Sequence, residues 1–296
     1  MAFFKNLWIY ELTEPFRFTA DELEAALAAK ELGQCGALER STFGFSSPFG
    51  RDSDVFVHAV EGRLLFRFSV AERVLPASVV NDEVADRLSR QDEQPVRAAK
   101  RREVKDQVLL ELLPKAFVRQ KHIAAYIDPE VGILVIDTSS DKAADELQSA
   151  LRDALGSLPL RIPDRPGSAA RMSAWVAGER PLPANMALAD ECELRDRSDR
   201  TSVVRCRGQN LESAEIRSHI RAGMEVSLLK VEWAERLVFV LTSEMGVRRL
   251  RVTDLVIDQF PETSDDLRAE MDAMFLLMAG EFKQLWGDIN RWFGDD

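Results

Sequence analysis

A basic segment within an acidic chain is the first feature that could do chemistry. The chain carries 39 Lys and Arg against 50 Asp and Glu, a formal net charge of −11 at pH 7. Between residues 97 and 121 the balance inverts, because eight cations face three acids. The cations are Arg97, Lys100, Arg101, Arg102, Lys105, Lys115, Arg119 and Lys121. A local excess of positive charge attracts polyanions, so this segment is a candidate nucleic-acid contact.

Part of this cluster lies at the unfavourable end of a predicted helix. Val104, Val108 and Leu112 recur at four-residue spacing, and Pro95 should end the preceding helix. A new amphipathic helix is therefore predicted over about 98–114. Its first turns carry three cations, where the helix dipole disfavours positive charge by about 0.3–1 kcal/mol per charge. A bound polyanion would reverse that effect, whereas acids of the same helix would make it an ordinary solvated face, and the charge run alone leaves both interpretations open.

Signatures of catalysis are missing from the sequence. It has no Gly-x-x-x-x-Gly-Lys-Ser/Thr, no Gly-x-Gly-x-x-Gly after a strand, no His-Glu-x-x-His and no Gly-x-Ser-x-Gly. The histidines, His58, His122 and His219, fall in different predicted elements with no patterned acid or nucleophile beside them. We therefore predict that the protein is not an enzyme and uses no cofactor or metal.

One group of acids keeps a nuclease open as an alternative. Asp128, Glu130, Asp137 and Asp141 lie near predicted strand ends, and oxygen ligands of this kind hold Mg²⁺ in nucleases. A turn explains the first two, and a helix start that favours acids explains Asp137. Metal binding ranks below this structural interpretation.

Two shorter basic segments follow in the second half of the chain. Residues 205–210 read Arg-Cys-Arg-Gly-Gln-Asn, in which Gly208 allows close backbone approach. Arg248, Arg249 and Arg251 form the other segment. Each is a weak signal alone, since surface arginines are common.

Length and composition describe an ordinary globular protein. The 296 residues suggest about two domains or one elaborate domain, with 46% hydrophobic and 30% charged residues. Without a signal-peptide pattern or an apolar run of 18 residues, the chain is predicted to be cytoplasmic and not membrane-embedded. Cys35, Cys192 and Cys206 are too scattered to predict a disulfide framework or a zinc site.

Periodicity predicts an α+β fold of antiparallel hairpins, a meander and helices. The expected order is a strand at 7–10, a helix opened by the Thr19–Glu22 capping box, a loop-rich stretch over 33–50, a hairpin over 55–70, a helix capped by Ser78, the basic helix, a hairpin over 122–137 and a helix over 140–155. After a proline-rich linker come strands at 186–195 and 202–206, a helix at 213–222, a meander over 226–252 and a long closing helix with Thr263 as candidate cap. We divide the chain into 1–75, 76–120, 121–160 and 161–296.

Short motifs recur along the chain in a familiar order. They are Phe4-Lys5-Asn6-Leu7, Leu75-Pro76, Leu112-Leu113-Pro114-Lys115-Ala116-Phe117, Gly156-Ser157-Leu158-Pro159, Gly208-Gln209-Asn210-Leu211 and the segment from Ala222-Gly223 to Trp233. None is specific alone, but their joint order and spacing resemble the bacterial recombination-associated RdgC family over essentially the whole chain.

The resemblance implies a non-enzymatic, nucleoid-associated DNA-binding protein. It implies a head-to-head, tail-to-tail homodimer whose horseshoe-shaped subunits, with centre, tip and base regions, close a ring around DNA. Bound protein would then limit access of the RecA recombinase. The implied partners are double-stranded DNA and a second copy of the chain, with single-stranded DNA left open, and no membrane.

The resemblance also assigns roles to individual residues. Lys115 and Gln209 correspond to family DNA contacts, Arg73 matches a basic family position, and Phe117 corresponds to a hydrophobic contact at a subunit interface. Some members carry Arg in place of Lys115, so the charge is kept without the bidentate geometry.

Together, the charge pattern and the resemblance give one set of candidate DNA-binding residues. Some family members carry Lys in place of Gly208, a charge that Arg207 could replace. The set is Arg73, Arg97, Lys100, Arg101, Arg102, Lys105, Lys115, Arg119, Arg207 and Gln209. The predicted function is sequence-nonspecific binding of duplex DNA by a ring dimer that modulates recombination. A metal-dependent nuclease and a protein-binding adaptor are the alternatives.

Overall fold

A computed structural model describes residues 2–90, 98–199, 201–261 and 266–294. Helices and antiparallel sheets are both present, which confirms the predicted α+β class. Three residues named above, Pro95, Arg97 and Thr263, lie outside the described part of the chain.

The first sheet is built around two long strands. Its members are β1 (Trp8–Leu12), β2 (Ser41–Ser46), β3 (Val57–Val60), β4 (Arg63–Val74), β5 (Phe117–Asp128), β6 (Ile133–Ile136) and β7 (Leu160–Arg161). The strand order is β2-β4-β5-β6-β1-β7, with β3 paired to β4 as well. The pairing of β4 with β5 runs from Leu64↔Ile127 to Val74↔Phe117. Since β6 pairs with residues 125–128, this ladder extends well beyond the centre of the sheet.

The second sheet contains the predicted meander. Its strands are β8 (Met186–Asp196), β9 (Val203–Arg207), β10 (Met224–Trp233), β11 (Leu237–Thr242) and β12 (Val247–Val252), in the order β12-β11-β10-β8-β9. A bridge between Leu7 and Val247 connects the N-terminal segment to this sheet. All its described pairings are antiparallel.

Most of the helices lie where the sequence predicts them, whereas α5 and α7 were not predicted. They are α1 (Ala20–Ala28), α2 (Ala77–Ser89), α3 (Ala98–Leu112), α4 (Asp141–Leu155), α5 (Ser168–Ala177), α6 (Ala214–Arg221), α7 (Asp254–Ile257) and α8 (Leu267–Phe293). Thr19 and Glu22 form the predicted capping box of α1, and Ser140 caps α4. A single 3-10 turn, Leu113–Lys115, links α3 to β5.

The closing helix α8 organises the layers. Its apolar stripe, which includes Phe275, Met278 and Phe282, packs in one cluster with the core face of the second sheet and with Leu65 and Tyr126 of the first. The opposite face of the first sheet packs against α1 and α4 in a second cluster. Because one helix fills the space between the two sheets, the two halves of the chain share a core.

A small separate core supports an arm. Val80 and Val84 of α2 pack against Val104 and Val108 of α3. These helices connect the far ends of β4 and β5, which are paired with each other. We call residues 69–90 and 98–122 the arm.

Four local expectations need correction. The loop-rich stretch contains β2, in which Gly44 lets the backbone of Leu32 approach so closely that a Cβ would meet it at 2.7 Å. Pro76, not Ser78, occupies the N-cap of α2. Helix α5 lies just after the proline-rich linker, where no helix was predicted, because its small residues hide the apolar period. Asp266, not Thr263, caps α8, and its side chain accepts the backbone N–H groups of residues 268 and 269.

The buried His58 should make stability depend on pH. It belongs to β3 and contacts α8, with Nε2 3.0 Å from a carboxylate oxygen of Asp272, and Arg268 is nearby. Burial lowers the pKa of His58 below 6.5 and outweighs the attraction of Asp272. The unfolded chain therefore binds more protons than the native one, and stability falls as pH drops through the unfolded pKa of about 6.5.

We expect urea denaturation at pH 7.5, 6.5 and 5.5 to give a falling free energy of unfolding, with a weaker fall in His58→Gln. Because partial desolvation of the ring and the nearby Arg67 and Arg51 also lower the pKa of His122, part of the slope should remain in that variant. His219→Gln is the control. An unchanged pH dependence in His58→Gln would contradict the assignment.

Candidate nucleic-acid interface

The outer half of β5 presents a row of exposed side chains. Residues 117–122 are all exposed, and β6 pairs with β5 farther along. Phe117 is 87% exposed, so within one chain it is not a core anchor. Lys115, in the preceding 3-10 turn, is also exposed. The sequence-predicted Lys115, Phe117 and Arg119 therefore share one accessible edge of the arm.

Glu72 on β4 holds two cations of this edge. It lies directly opposite Arg119 in the ladder, and the Arg119 guanidinium donates to its carboxylate through Nε at 3.0 Å. The Lys121 ammonium is 2.9 Å from the same carboxylate. Hydrogen bonds from Arg119 and then Lys121 lower the pKa of Glu72. One carboxylate between two cations leaves a net positive charge and holds both side chains in place.

The cations of α3 are spread around the helix rather than gathered on one face. Lys100 lies 3.6 Å from Glu103, and Arg101 and Arg102 are exposed at the start of the helix. Lys105 lines a cavity of about 230 Å³ between α2 and α3, beside Arg73. The helix thus contributes exposed positive charge near the tip of the arm without a formed binding geometry.

Arg73 has a structural task in this chain. Its guanidinium donates to five backbone carbonyl oxygens at 3.1–3.4 Å, those of Cys35, Gly36, Leu113, Pro114 and Ala116. These bonds fasten the 3-10 turn and the start of β5 to the loop before β2. A contact of Arg73 with DNA would compete with them, so its DNA role remains a prediction, whereas its role in positioning the arm is visible.

The second sheet brings the two shorter basic segments together. On its face away from the shared core, Arg207 of β9 lies opposite Glu191 of β8 and donates to it at 3.2 Å. Arg249 of β12 reaches the same carboxylate at 2.8 Å. Gln209 is exposed just beyond β9. Segments that are separately weak in sequence therefore converge on one acid.

A neighbouring acid repeats this arrangement. Glu193 accepts from Arg195 at 2.8 Å and from Arg205 at 2.7 Å, although only 7% of its side chain is exposed. Burial raises the pKa of Glu193, but the hydrogen bonds from Arg205 and Arg195 outweigh it and the net shift is downward. Sequence reasoning missed Arg195. The alternation of acids in β8 and arginines in β9 was the available signal.

The acids of the nuclease alternative have other partners. Asp128 is buried and bound by Arg63 at 3.0 Å, and Glu130 is paired with Lys283 at 2.8 Å. Asp137 accepts the backbone N–H groups of residues 5 and 6. Within the described residues, no three His, Cys, Asp or Glu side chains form a group that could hold a metal ion.

Hydropathy gives one further finding. Among the helices that the structure describes, none combines the length and apolar character needed to cross a bilayer.

The bonds of Arg73 generate a stability prediction. We expect Arg73→Lys to lower the free energy of unfolding by about 2–3 kcal/mol, because an ammonium cannot serve the five carbonyls and partly buried acceptors are left unpaired. The exposed Arg119→Lys is the matched control and should change stability little. Chemical denaturation measures both. Equal stability in the two variants would show that the hydrogen bonds of the Arg73 guanidinium do not stabilise the arm.

Comparison with known proteins agrees with the motif order. A family model described as "Putative exonuclease, RdgC" matches residues 2–296. Relatives named recombination-associated protein RdgC include one from Pseudomonas aeruginosa PAO1, 38% identical over 287 residues that cover 95% of this chain and 94% of the relative. Those from Pseudomonas syringae pv. tomato and Pseudomonas fluorescens Pf0-1 are 38% and 37% identical, covering 94% and 93% of this chain and 94% and 92% of the relatives. The chain belongs to the RdgC family.

Proposed function

We propose that this protein binds duplex DNA without sequence preference, through phosphate contacts made by the arm. The observation that carries the proposal is the exposed edge of β5, where Lys115, Arg119 and Lys121 are accessible in an otherwise acidic protein. The backbone of β5 holds Arg119 and Lys121 on one face of the strand, and Lys115 lies in the 3-10 turn just before it. Phosphate contacts position a protein on DNA but read no sequence, so binding should be nonspecific.

We propose further that two copies assemble around the DNA. Phe117 is exposed, and Val74, directly opposite it in the ladder, is 40% exposed. An apolar patch at the end of a charged arm is suited to contact a second subunit, since aromatic residues often dominate interface energies. Contact between arms, together with a second contact elsewhere on the subunit, would close a ring.

The proposed biological role follows from family membership. Relatives of this chain are named recombination-associated proteins. A ring on duplex DNA would occupy the backbone and limit access of the RecA recombinase, and no catalytic step is needed for this. Nucleoid association would follow from the same DNA binding.

Salt dependence is the first test of DNA binding. If about six phosphates are neutralised, log K against log salt should have a slope near −5. Lys115→Ala should make the slope less steep by about 1, because one phosphate contact is lost. Lys30→Ala, which removes a cation paired with Asp153 at 2.6 Å, is the control and should behave like the wild type. Fluorescence anisotropy on two unrelated duplexes measures these slopes. A flat slope or strong sequence discrimination would contradict the proposal.

Phe117 provides the test of ring closure. Phe117→Ala should leave the subunit folded, since the side chain is exposed, and still dimeric if the second contact survives. The weakened contact between the two arms, which would act as the gate of the ring, should shorten retention on circular DNA. Initial binding should stay near that of the wild type. Lys115→Ala should instead weaken binding and leave assembly intact. Sedimentation combined with retention on circular and linear DNA separates these outcomes, and unchanged retention on circles would refute the gate.

The nuclease alternative deserves a direct assay because the family description contains the word exonuclease. Protein incubated with linear or circular DNA and Mg²⁺ or Mn²⁺ should leave both intact. Cleavage that is abolished by Asp137→Ala would establish the alternative. If no DNA binding is seen even at low salt, a protein-binding adaptor becomes the better account.

A further inference from the structure

The cavity between α2 and α3 combines apolar walls with positive charge. It encloses about 230 Å³, and its apolar lining consists of Leu75, Ala77, Val80, Leu109 and Leu113. The remaining lining residues are Arg40, Arg73, Asn81 and Lys105. Among the described residues that line the cavity, three are therefore cations and none is an acid. Such a lining in an acidic protein favours an occupant that is both apolar and negatively charged.

Acids of the arm do not neutralise these three cations. The Arg73 guanidinium donates to five backbone carbonyl oxygens, which carry no net charge, so its positive charge persists. The side chains of Arg40 and Lys105 are exposed and have no hydrogen-bond or ion-pair partner within the part of the chain that the structure describes. Arg87 holds the nearby Glu83 and Glu111 at 2.8 and 2.7 Å. The cavity therefore keeps the charge of all three cations for an incoming group.

The volume of the cavity suits a single large side chain. Pockets for drug-sized ligands enclose about 300–1,000 Å³, so a cavity of about 230 Å³ falls below that range. Val80 and Leu113 are buried in its wall, whereas Leu75 and Leu109 are only half-buried. An apolar side chain in the cavity would remove more of these two leucines from water, which is favourable.

Positive charge continues beyond the cavity along α3. Arg101 and Arg102 are exposed and lie about one turn before Lys105, and residues three or four apart on a helix are neighbours. Arg40 comes from a different element, the loop before β2. An occupant with acidic groups on both sides of its apolar group would therefore meet cations from two elements. A single small carboxylic acid would use only part of this charge.

We propose that this cavity binds an acidic segment of a partner protein. One large apolar side chain of the segment would occupy the cavity against Leu75 and Leu109, and the carboxylates beside it would pair with Arg40 and Lys105. Charge complementarity of this kind selects the partner and its orientation. Duplex DNA offers negative charge but keeps its bases stacked inside the helix, so it would leave the apolar walls unused. The inference goes beyond the proposed DNA binding and does not require it.

A blocked peptide with one aromatic residue among acids tests the cavity. The probe is fluorescein-labelled Glu-Asp-Glu-Phe-Asp-Glu with an amidated C-terminus, and its binding to the full chain is followed by fluorescence anisotropy at low salt. Replacing the Phe of the peptide by Ser should weaken binding by at least about tenfold, because the apolar contact is lost. Replacing its acids by Gln and Asn should weaken binding by a similar factor, because the ion pairs are lost.

Two variants test the protein side of the contact. Arg40→Glu exchanges an attraction for a repulsion and should weaken peptide binding about tenfold. Arg152→Glu, in the last turn of α4, makes the same change in net charge elsewhere and should leave the affinity within about twofold. Ala77→Leu places a larger side chain in the cavity lining and should weaken binding by about tenfold or more. The exposed Ala25→Leu of α1 is its control, and thermal melts establish that each variant is folded.

Several results would overturn the inference. Equal binding of the Phe and Ser peptides would reduce the contact to a general attraction for polyanions, and equal affinities of Arg40→Glu and Arg152→Glu would remove the cavity from it. Altered sedimentation of Ala77→Leu with unchanged peptide affinity would assign the cavity to a second copy of the chain. Duplex DNA is titrated in parallel with the peptide. Wild-type protein that binds DNA but not the peptide refutes this inference alone, whereas binding of the peptide without DNA refutes the proposed function alone.

Discussion

The pairing of β4 with β5 is the constraint on which the rest of the structure depends. Eleven residue pairs join these strands, and the ladder begins in the central sheet and ends at the arm. Residues near its inner end, such as Leu65 and Tyr126, belong to the core shared with α8, whereas its outer end carries exposed cations. Because the antiparallel register runs without interruption along this ladder, both strands of the arm continue directly from the central sheet.

In this acidic protein, three glutamates each pair with two clustered cations. Glu72, Glu191 and Glu193 each hold two cations, and each lies opposite one of them across a strand pair. Cross-strand pairs of opposite charge stabilise a sheet modestly. Each group keeps a net positive charge, so the protein can present basic rows locally while its total charge remains −11. Acidity elsewhere should limit adhesion of polyanions to the remaining surface.

Much of the fold could be predicted because its signals are local. The capping box at Thr19, the cap at Ser140 and the alternation in the meander specify their elements within a few residues. Strand β2 and helix α5 were not predicted because contacts with distant parts of the chain determine them. Gly44 in β2 allows the backbone of Leu32 to approach closely. Helix α5 is stabilised by packing of Trp175 and its neighbours against the second sheet and α8.

The candidate site was predictable in part for the same reason. The charge excess over 97–121 indicated the arm, but no sequence pattern indicated that the Arg73 guanidinium would be occupied by carbonyl oxygens. Nor could the sequence show that Arg249 reaches Glu191, since 58 residues and a backbone bulge separate them. Long-range convergence of this kind depends on strand order, which hydropathy does not encode.

The central claim is that DNA contacts two basic strand surfaces and not the apolar layers around α8. Hydrogen–deuterium exchange of the protein, with and without a 30-base-pair duplex at low salt, tests it most directly. The account predicts slower exchange over 115–122 on the arm and over 203–209 at β9, with no change along α8. Protection confined to other segments, or none in a sample that binds DNA, would contradict it.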